Sequence, residues 1–136
     1  MSEVYFVRTR ADFLNEKFGT NYKQYMRCTW KHPTDNYLVW MVFIDDERVD
    51  DYQNGANADM TKITEKFVGE KDDLDFRKKR KRFKTSAEEY PIRLVVKIEK
   101  SKKPNGKRQY IILGKYELSK RESGDLYEFH IWRKVD

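Results

Sequence analysis

The stretch from Ile92 to Leu118 reads IRLVVKIEKSKKPNGKRQYIILGKYEL, and it decides the fold class. In its first part apolar side chains alternate with polar ones, at Ile92, Leu94, Val96 and Ile98. Alternation with a period of two indicates a β-strand with one covered face. The sequence Lys103-Pro104-Asn105-Gly106 predicts a tight turn, and the apolar segment that follows it predicts the partner strand of a hairpin.

The same pattern continues towards the end of the chain. Ser123-Gly124-Asp125 predicts another turn, and residues 126–135 alternate again. The last fifty residues therefore predict three antiparallel strands joined by short turns, that is, a meander.

This meander resembles a known family. Three segments carry the resemblance, Ile92–Lys97, Tyr110–Tyr116 and Tyr127–Trp132, and they lie in the closing region, which is about a third of the chain. They are similar to the end of small barrels in the PUA-like superfold, which includes SET-and-RING-associated domains and modified-base readers attached to bacterial restriction enzymes and helicases. The resemblance implies binding of nucleic acid, often with a base turned out into an aromatic-lined pocket. It transfers one structural element, Leu113-Gly114-Lys115-Tyr116, and no pocket residue.

Upstream of the meander the sequence predicts shorter elements. Strands are expected at 4–7, 25–30 and 37–44, the last of them central because it is apolar throughout. A helix is expected at about 10–18, with Thr9 before it and Gly19 after it. A second helix is expected from Asn57 to Gly69, because Met60, Ile63 and Phe67 follow helical spacing. Residues 71–86 predict either an exposed basic helix or a mobile loop.

The fold class that follows is α+β: a mainly antiparallel, partly closed small β-barrel of PUA-like type with two short helices. At 136 residues the chain is expected to be a single domain, 1–136. The lone Cys28 excludes an intramolecular disulfide and indicates a reducing, cytoplasmic location. The longest apolar run is too short to span a bilayer, so no membrane association is expected.

Charge is distributed unevenly along the chain. The net charge is +6, with −3 in residues 1–70 and +9 in residues 71–136. Seven of the eight residues from Arg77 to Lys84 are basic. A cluster of this kind is typical of proteins that bind a polyanion, most often nucleic acid. The predicted phosphate contacts in this run are Arg77, Lys78, Lys79, Arg80, Lys81, Arg82 and Lys84.

The basic run has other interpretations. It is also compatible with a solvated helix face or a nuclear localisation signal. Phe83 within the run either stacks on a base or anchors the segment, and the anchor is favoured. A second basic group surrounds the predicted hairpin turn, and it either follows a nucleic-acid backbone or keeps the turn soluble. Its predicted contacts are Lys102, Lys103, Lys107 and Arg108.

Aromatic residues make up 15% of the chain, enough for a core and for binding. Trp30, Tyr37 and Trp40 are the candidates for stacking on a base. The alternative is that they belong to the core, and this is favoured for Trp40 because it lies in an apolar strand.

No catalytic or cofactor motif is present, so no cofactor is expected and a non-enzymatic protein is predicted. The two histidines, His32 and His130, are not spaced as metal ligands. The acidic segment 45–51 would hold a metal or imitate phosphates, but a solvated loop is favoured. A metal-dependent nuclease would require Asp45, Asp50 and Glu99 to converge.

The first hypothesis is a non-enzymatic module that binds DNA or RNA through a basic face beside the meander, with modified-base reading as a more specific form of it. The alternative, from another class, is a small protein-binding inhibitor or adaptor, such as an anti-CRISPR or anti-restriction protein of a phage. In that case the partner would be a protein that handles nucleic acid.

Overall fold

Eight strands and two helices are present in the part of the chain that the computed structural model describes, residues 3–45 and 52–136. The strands are β1 (Val4–Val7), β2 (Thr29–Lys31), β3 (Leu38–Val42), β4 (Tyr52–Ala56), β5 (Lys62–Phe67), β6 (Ile92–Ile98), β7 (Arg108–Leu118) and β8 (Phe129–Lys134). The helices are α1 (Arg10–Phe18) and α2 (Phe76–Glu89). The predicted α+β class is confirmed.

Hydrogen bonds order the strands β2-β3-β6-β7-β8-β5-β4, and β1 pairs with β7. The pairs β1–β7, β2–β3, β4–β5, β5–β8 and β7–β8 are antiparallel. Among the strands of the described residues no pairing joins β2 to β4, the two ends of this order. The α+β class is therefore established, while closure into a barrel stays a prediction.

The chain forms two compact units, and each is discontinuous in sequence. The first unit consists of Met1–Phe43 and Leu94–Gly114, and the second of Ile44–Arg93 and Lys115–Asp136. The expectation of a single domain stays a prediction.

In the first unit, α1 begins and ends where the sequence predicts. The Thr9 hydroxyl accepts a hydrogen bond from the Asp12 backbone N–H at 3.1 Å, and Gly19 ends the helix with a φ of 70°. Phe13 and Leu14 are buried, and Phe13 stacks on Tyr110 with ring centroids 5.5 Å apart. The helix therefore forms because a capped start coincides with an apolar face that has a core to cover.

Two strand predictions in the first unit have different outcomes. β3 is buried along its whole length, as a central strand should be. The strand expected at 25–30 is mostly wrong, because extended pairing begins only at Thr29. The Tyr25 hydroxyl instead donates to the Thr29 carbonyl at 2.6 Å, within an irregular segment.

The predicted meander is confirmed at β6, β7 and β8. The Lys103 N–H donates to the Lys107 carbonyl at 2.9 Å, and Gly106 has a φ of 82° in the turn between β6 and β7. Glycine is needed at that position because side chains disfavour a left-handed backbone. The alternation is wrong in one detail: Arg93, the polar residue between Ile92 and Leu94, is expected to face solvent but is 2% exposed.

The helix expected at 57–69 is wrong, since this part of the second unit is the β4–β5 hairpin. Asn57 does not cap a helix: its side-chain carbonyl accepts the Lys62 N–H at 3.0 Å and closes the turn. Ile63 lies opposite Trp132 in the ladder between β5 and β8. Cross-strand pairing and burial therefore outweigh a helical spacing of three apolar residues.

Candidate nucleic-acid interface

The basic run forms most of α2, so the helix alternative for this segment is the one observed. Phe83 is 4% exposed and lies among Tyr52, Phe67 and His130. Its ring stacks on the His130 imidazole with centroids 3.9 Å apart and planes 14° apart. Phe83 is thus an anchor, as favoured from the sequence, and it fixes which face of α2 points outward.

Two cations of the run pair with carboxylates close in sequence. Lys79 Nζ lies 3.0 Å from Asp73 Oδ2, and Lys84 Nζ lies 2.5 Å from Glu88 Oε1. The hydrogen bond between Lys84 and Glu88 raises the pKa of the ammonium and lowers the pKa of the carboxyl. Both lysines are half-buried, so they are partly committed to holding α2 in place.

Arg80 is held by the segment that precedes β8. Its Nη2 lies 3.6 Å from Glu128 Oε1 and 3.9 Å from Asp125 Oδ2. Its guanidinium also lies over the Tyr127 ring, 4.6 Å from the centroid. Arg80 therefore ties the helix to residues 125–128 of the same unit.

The other four cations of the run are exposed. Within residues 3–45 and 52–136 none of them has a carboxylate within ion-pair distance. They recur at helical positions i, i+1, i+4 and i+5, which places them along one stripe, opposite the buried Phe83. These residues are Arg77, Lys78, Lys81 and Arg82, and we call them the exposed stripe.

The charges of α2 oppose the dipole of the helix. The cations fill its N-terminal half, and Glu88 and Glu89 lie in its last turn. A helix N-terminus carries partial positive charge and a C-terminus partial negative charge, so both sets are unfavourable. Asp73 offsets this in part through Lys79. An anion bound along the exposed stripe would relieve the remaining repulsion.

The second predicted basic group lies in the first unit, around the turn between β6 and β7. Lys102 and Lys103 are exposed, and the Lys103 ammonium lies over the Phe6 ring, 4.1 Å from its centroid. Arg108 is half-buried, with its guanidinium 5.2 Å from the centroid of Phe43.

A cleft of about 460 Å³ lies beside this turn. Its lining includes Phe6, which is 42% exposed, the cations Arg8 and Lys107, and the carboxylates Asp12 and Glu16. Apart from Lys107, these residues come from β1, α1 and the link between them, where the sequence shows helix-capping residues but no binding motif. The cleft offers an aromatic wall with donors and acceptors, and sequence reasoning missed it.

The three ring candidates of the first unit are covered. Trp30, Tyr37 and Trp40 are 5%, 8% and 1% exposed. The Trp30 N–H donates to the Tyr22 hydroxyl at 3.0 Å, and Tyr37 stacks on His32. Burial agrees with the core alternative for Trp40. Base stacking by any of the three stays a prediction, and it would require the covering side chains to move.

The second unit contains a buried charged cluster that the sequence did not reveal. Glu65, Arg93 and His130 are 5%, 2% and 0% exposed. Arg93 Nη1 donates to both Glu65 oxygens, at 3.2 and 3.1 Å, and the Trp132 N–H donates to Oε1 at 3.2 Å. Burial raises the pKa of Glu65, but the Arg93 charge and the bond to His130 outweigh it and leave that pKa below its usual value.

Arg93 and Trp132 donate to the Glu65 carboxylate, so its oxygens are engaged in contacts within the second unit. Within the described ranges no group of three or more His, Cys, Asp or Glu side chains is arranged to hold a metal ion. Most of the acidic segment, residues 46–51, lies outside these ranges, and with it Asp50 of the nuclease alternative.

None of the described helices is long and apolar enough to cross a membrane.

The model of the SET and RING associated domain family matches residues 2–136. The chain belongs to this family. The resemblance to this family, which the sequence showed in its last third, therefore extends over residues 2–136 of this SET and RING associated domain.

A solved structure is similar to this domain along almost its whole length. It is titled "The 5-Hydroxymethylcytosine-Specific Restriction Enzyme AbaSI", and it matches with a TM-score of 0.70 and 26% sequence identity. The match covers 99% of this chain and 39% of that one, so the domain spans well under half of the enzyme. No curated protein matches the chain.

Family membership supports DNA as the partner, since SET and RING associated domains bind DNA. The predicted class of nucleic-acid binding is thereby supported, whereas nothing in these comparisons supports the phage inhibitor alternative. The contacts predicted for individual residues of this SET and RING associated domain stay predictions.

Proposed function

We propose that this domain is a non-enzymatic DNA-binding module whose exposed stripe on α2 contacts the phosphate backbone. The observation that carries the proposal is the division within the basic run. Three cations are held by carboxylates of their own unit, and the four in the exposed stripe face solvent without such partners in the described residues. Cations near the N-terminus of a helix repel one another and oppose the helix dipole, and a bound anion such as a DNA phosphate offsets this cost.

The basic turn of the first unit supplies further phosphate contacts in this proposal. Lys102 and Lys103 are exposed and Lys107 lines the cleft, so all three are accessible to the phosphate backbone of DNA. Contacts of this kind position a protein on DNA without reading its sequence. The proposal also keeps the expectation that the fold is a partly closed barrel of the PUA-like type.

The more specific proposal is that the domain reads a modified base, and that the cleft receives it. Phe6 is 42% exposed, and a base stacked on its ring would share it with the Lys103 ammonium. Arg8 and Lys107 can donate hydrogen bonds, and Asp12 and Glu16 can accept them. Cytosine presents an amino donor beside ring and carbonyl acceptors, which suits such a mixed lining. The similar enzyme is described as specific for 5-hydroxymethylcytosine, and this makes that base the first to test. Cleavage by that enzyme is not assigned to this domain, which we propose contributes recognition.

A salt titration tests the binding proposal. Duplexes with cytosine and with 5-hydroxymethylcytosine are compared with an RNA duplex between 50 and 300 mM salt. Four phosphate contacts predict a slope of log K against log salt of about −3.6, and contacts from the basic turn make it steeper. Both DNA duplexes should show the same slope, and the hydroxymethylated one should bind more tightly. Absence of binding to every DNA duplex at 50 mM salt would contradict the proposal.

Replacing Phe6 by leucine tests the cleft separately. Stacking of a base on an aromatic ring is worth roughly 1–3 kcal/mol, so affinity for the hydroxymethylated duplex should fall about tenfold. The salt slope should not change, because no cation is removed. Val4→Ala is the matched control, since Val4 is 43% exposed on the same strand. Equal effects of the two substitutions would remove Phe6 from the site.

A further inference from the structure

His130 has a hydrogen-bond acceptor at each ring nitrogen. Nδ1 lies 3.0 Å from Glu65 Oε1, and Nε2 lies 2.7 Å from the backbone carbonyl oxygen of Leu126. The residue is 0% exposed, so water does not supply an alternative partner. A neutral imidazole carries one N–H and one lone pair, and it can satisfy one of these two acceptors.

Glu65 cannot provide the missing proton. Both of its oxygens already accept from Arg93, and Oε1 also accepts from Trp132. The Arg93 charge and the contact with His130 outweigh burial and hold the pKa of Glu65 below its usual value, so the group is a carboxylate near neutral pH. Both acceptors therefore require a proton on the ring.

We propose that His130 is a buried imidazolium and acts as a positioning residue for α2 and for residues 125–128. Its ring lies against Phe83, the anchor of α2, and a cation on that ring strengthens the stack. Its Nε2–H holds the Leu126 carbonyl, next to Asp125, which pairs with Arg80. One proton thus fixes both the inner face of the basic helix and the segment that pairs with it.

The charged groups around the ring determine what happens when the proton leaves. Glu65 faces it from β5, with Arg93 of β6 bound to that carboxylate, and Glu88 of α2 interacts with it electrostatically. A neutral ring keeps its N–H towards the Glu65 carboxylate, the stronger acceptor. The Nε2 lone pair then faces the Leu126 carbonyl, which releases residues 125–128 and leaves the Glu65 cluster intact.

Nitrogen-15 NMR of the free, uniformly labelled domain tests the protonation state. At pH 8, where an exposed histidine is mostly neutral, both ring nitrogens of His130 should show the shifts of protonated nitrogen. His32 is the internal control, because its Nδ1 accepts the backbone N–H groups of Asp35 at 3.0 Å and Thr34 at 3.3 Å. It should therefore show one unprotonated nitrogen, and a H32Q variant assigns the signals. An unprotonated nitrogen on His130 at pH 8 would overturn the proposal.

A pH profile of DNA binding tests the positioning role, which rests on the proposed function. Affinity for the unmodified duplex should fall about tenfold at the pH where NMR shows the His130 proton leaving. His130→Phe retains a ring under Phe83 but cannot titrate, so its profile should lack this step. A step of equal size in His130→Phe would refute positioning by the proton. The NMR result is independent of DNA, so failure to bind any duplex would contradict the proposed function while leaving the protonation state tested.

Discussion

Replacing the exposed stripe, Arg77, Lys78, Lys81 and Arg82, by glutamine should reduce DNA affinity by about a hundredfold or more at 150 mM salt. Each of these cations releases counterions when it meets a phosphate, so the salt slope should become less steep by about 3.6. The free domain should be at least as stable as the wild type, because the change removes repulsion and charges that oppose the helix dipole. DNA affinity is thus expected to fall, while the melting temperature of the free domain should stay the same or rise. Electrophoretic shift or anisotropy titrations and a thermal melt measure the two effects.

Two control variants separate this stripe from net charge. Four exposed cations elsewhere, Lys23, Arg27, Lys66 and Lys134, can be replaced by glutamine with the same change in charge. The second control replaces the ion-paired cations Lys79, Arg80 and Lys84 by glutamine. The first control should retain most of the affinity, and the second should lose stability. If the first control weakens binding as much as the stripe variant, the interface on α2 is wrong.

The basic run illustrates how far sequence reasoning reaches. Its composition predicts a polyanion partner, and the chain that contains it belongs to a family whose domains bind DNA. The seven cations are chemically alike, so composition does not distinguish Lys81, which is exposed, from Arg80, which is held by Glu128. The distinction depends on which face Phe83 anchors, and the sequence left this segment open between helix and loop.

The Glu65 cluster shows what the sequence could not supply. Glu65 is separated from Arg93 by 28 positions and from His130 by 65. Their meeting depends on the register between β5 and β8, where Glu65 lies opposite His130. The sequence pattern placed Glu65 in a helix, so no pairing was available from which to infer the cluster. Arg93, flanked by apolar residues in a strand, was the one available signal of a buried charge.

Replacing Glu65 by alanine should destabilise the domain by about 3–5 kcal/mol, a large part of the stability of a typical small protein. The loss is large because it leaves the Arg93 guanidinium and the His130 ring buried without their carboxylate. Urea unfolding followed by tryptophan fluorescence measures it, and the buried Trp132 provides a nearby reporter. Glu122→Ala is the matched control, since its ion pair with Arg133 is much more exposed and contributes little. Equal losses in the two variants would show that the buried cluster adds no stability.

Acidification distinguishes loss of the Glu65 charge from loss of its volume. The pKa of Glu65 is lower in the folded protein than in the unfolded chain, so the native state binds fewer protons there. The stability that the Glu65 charge contributes is therefore fully present above the usual pKa of a glutamate. It disappears as the pH falls through the lowered pKa of the folded protein. Glu65→Gln keeps the shape and one acceptor but has no charge to lose, so its stability should fall less than that of the wild type between pH 7 and pH 3. Parallel pH profiles for wild type and Glu65→Gln would mean that Arg93 and His130 are not stabilised by this carboxylate, and the proposed imidazolium would then lose its counter-ion.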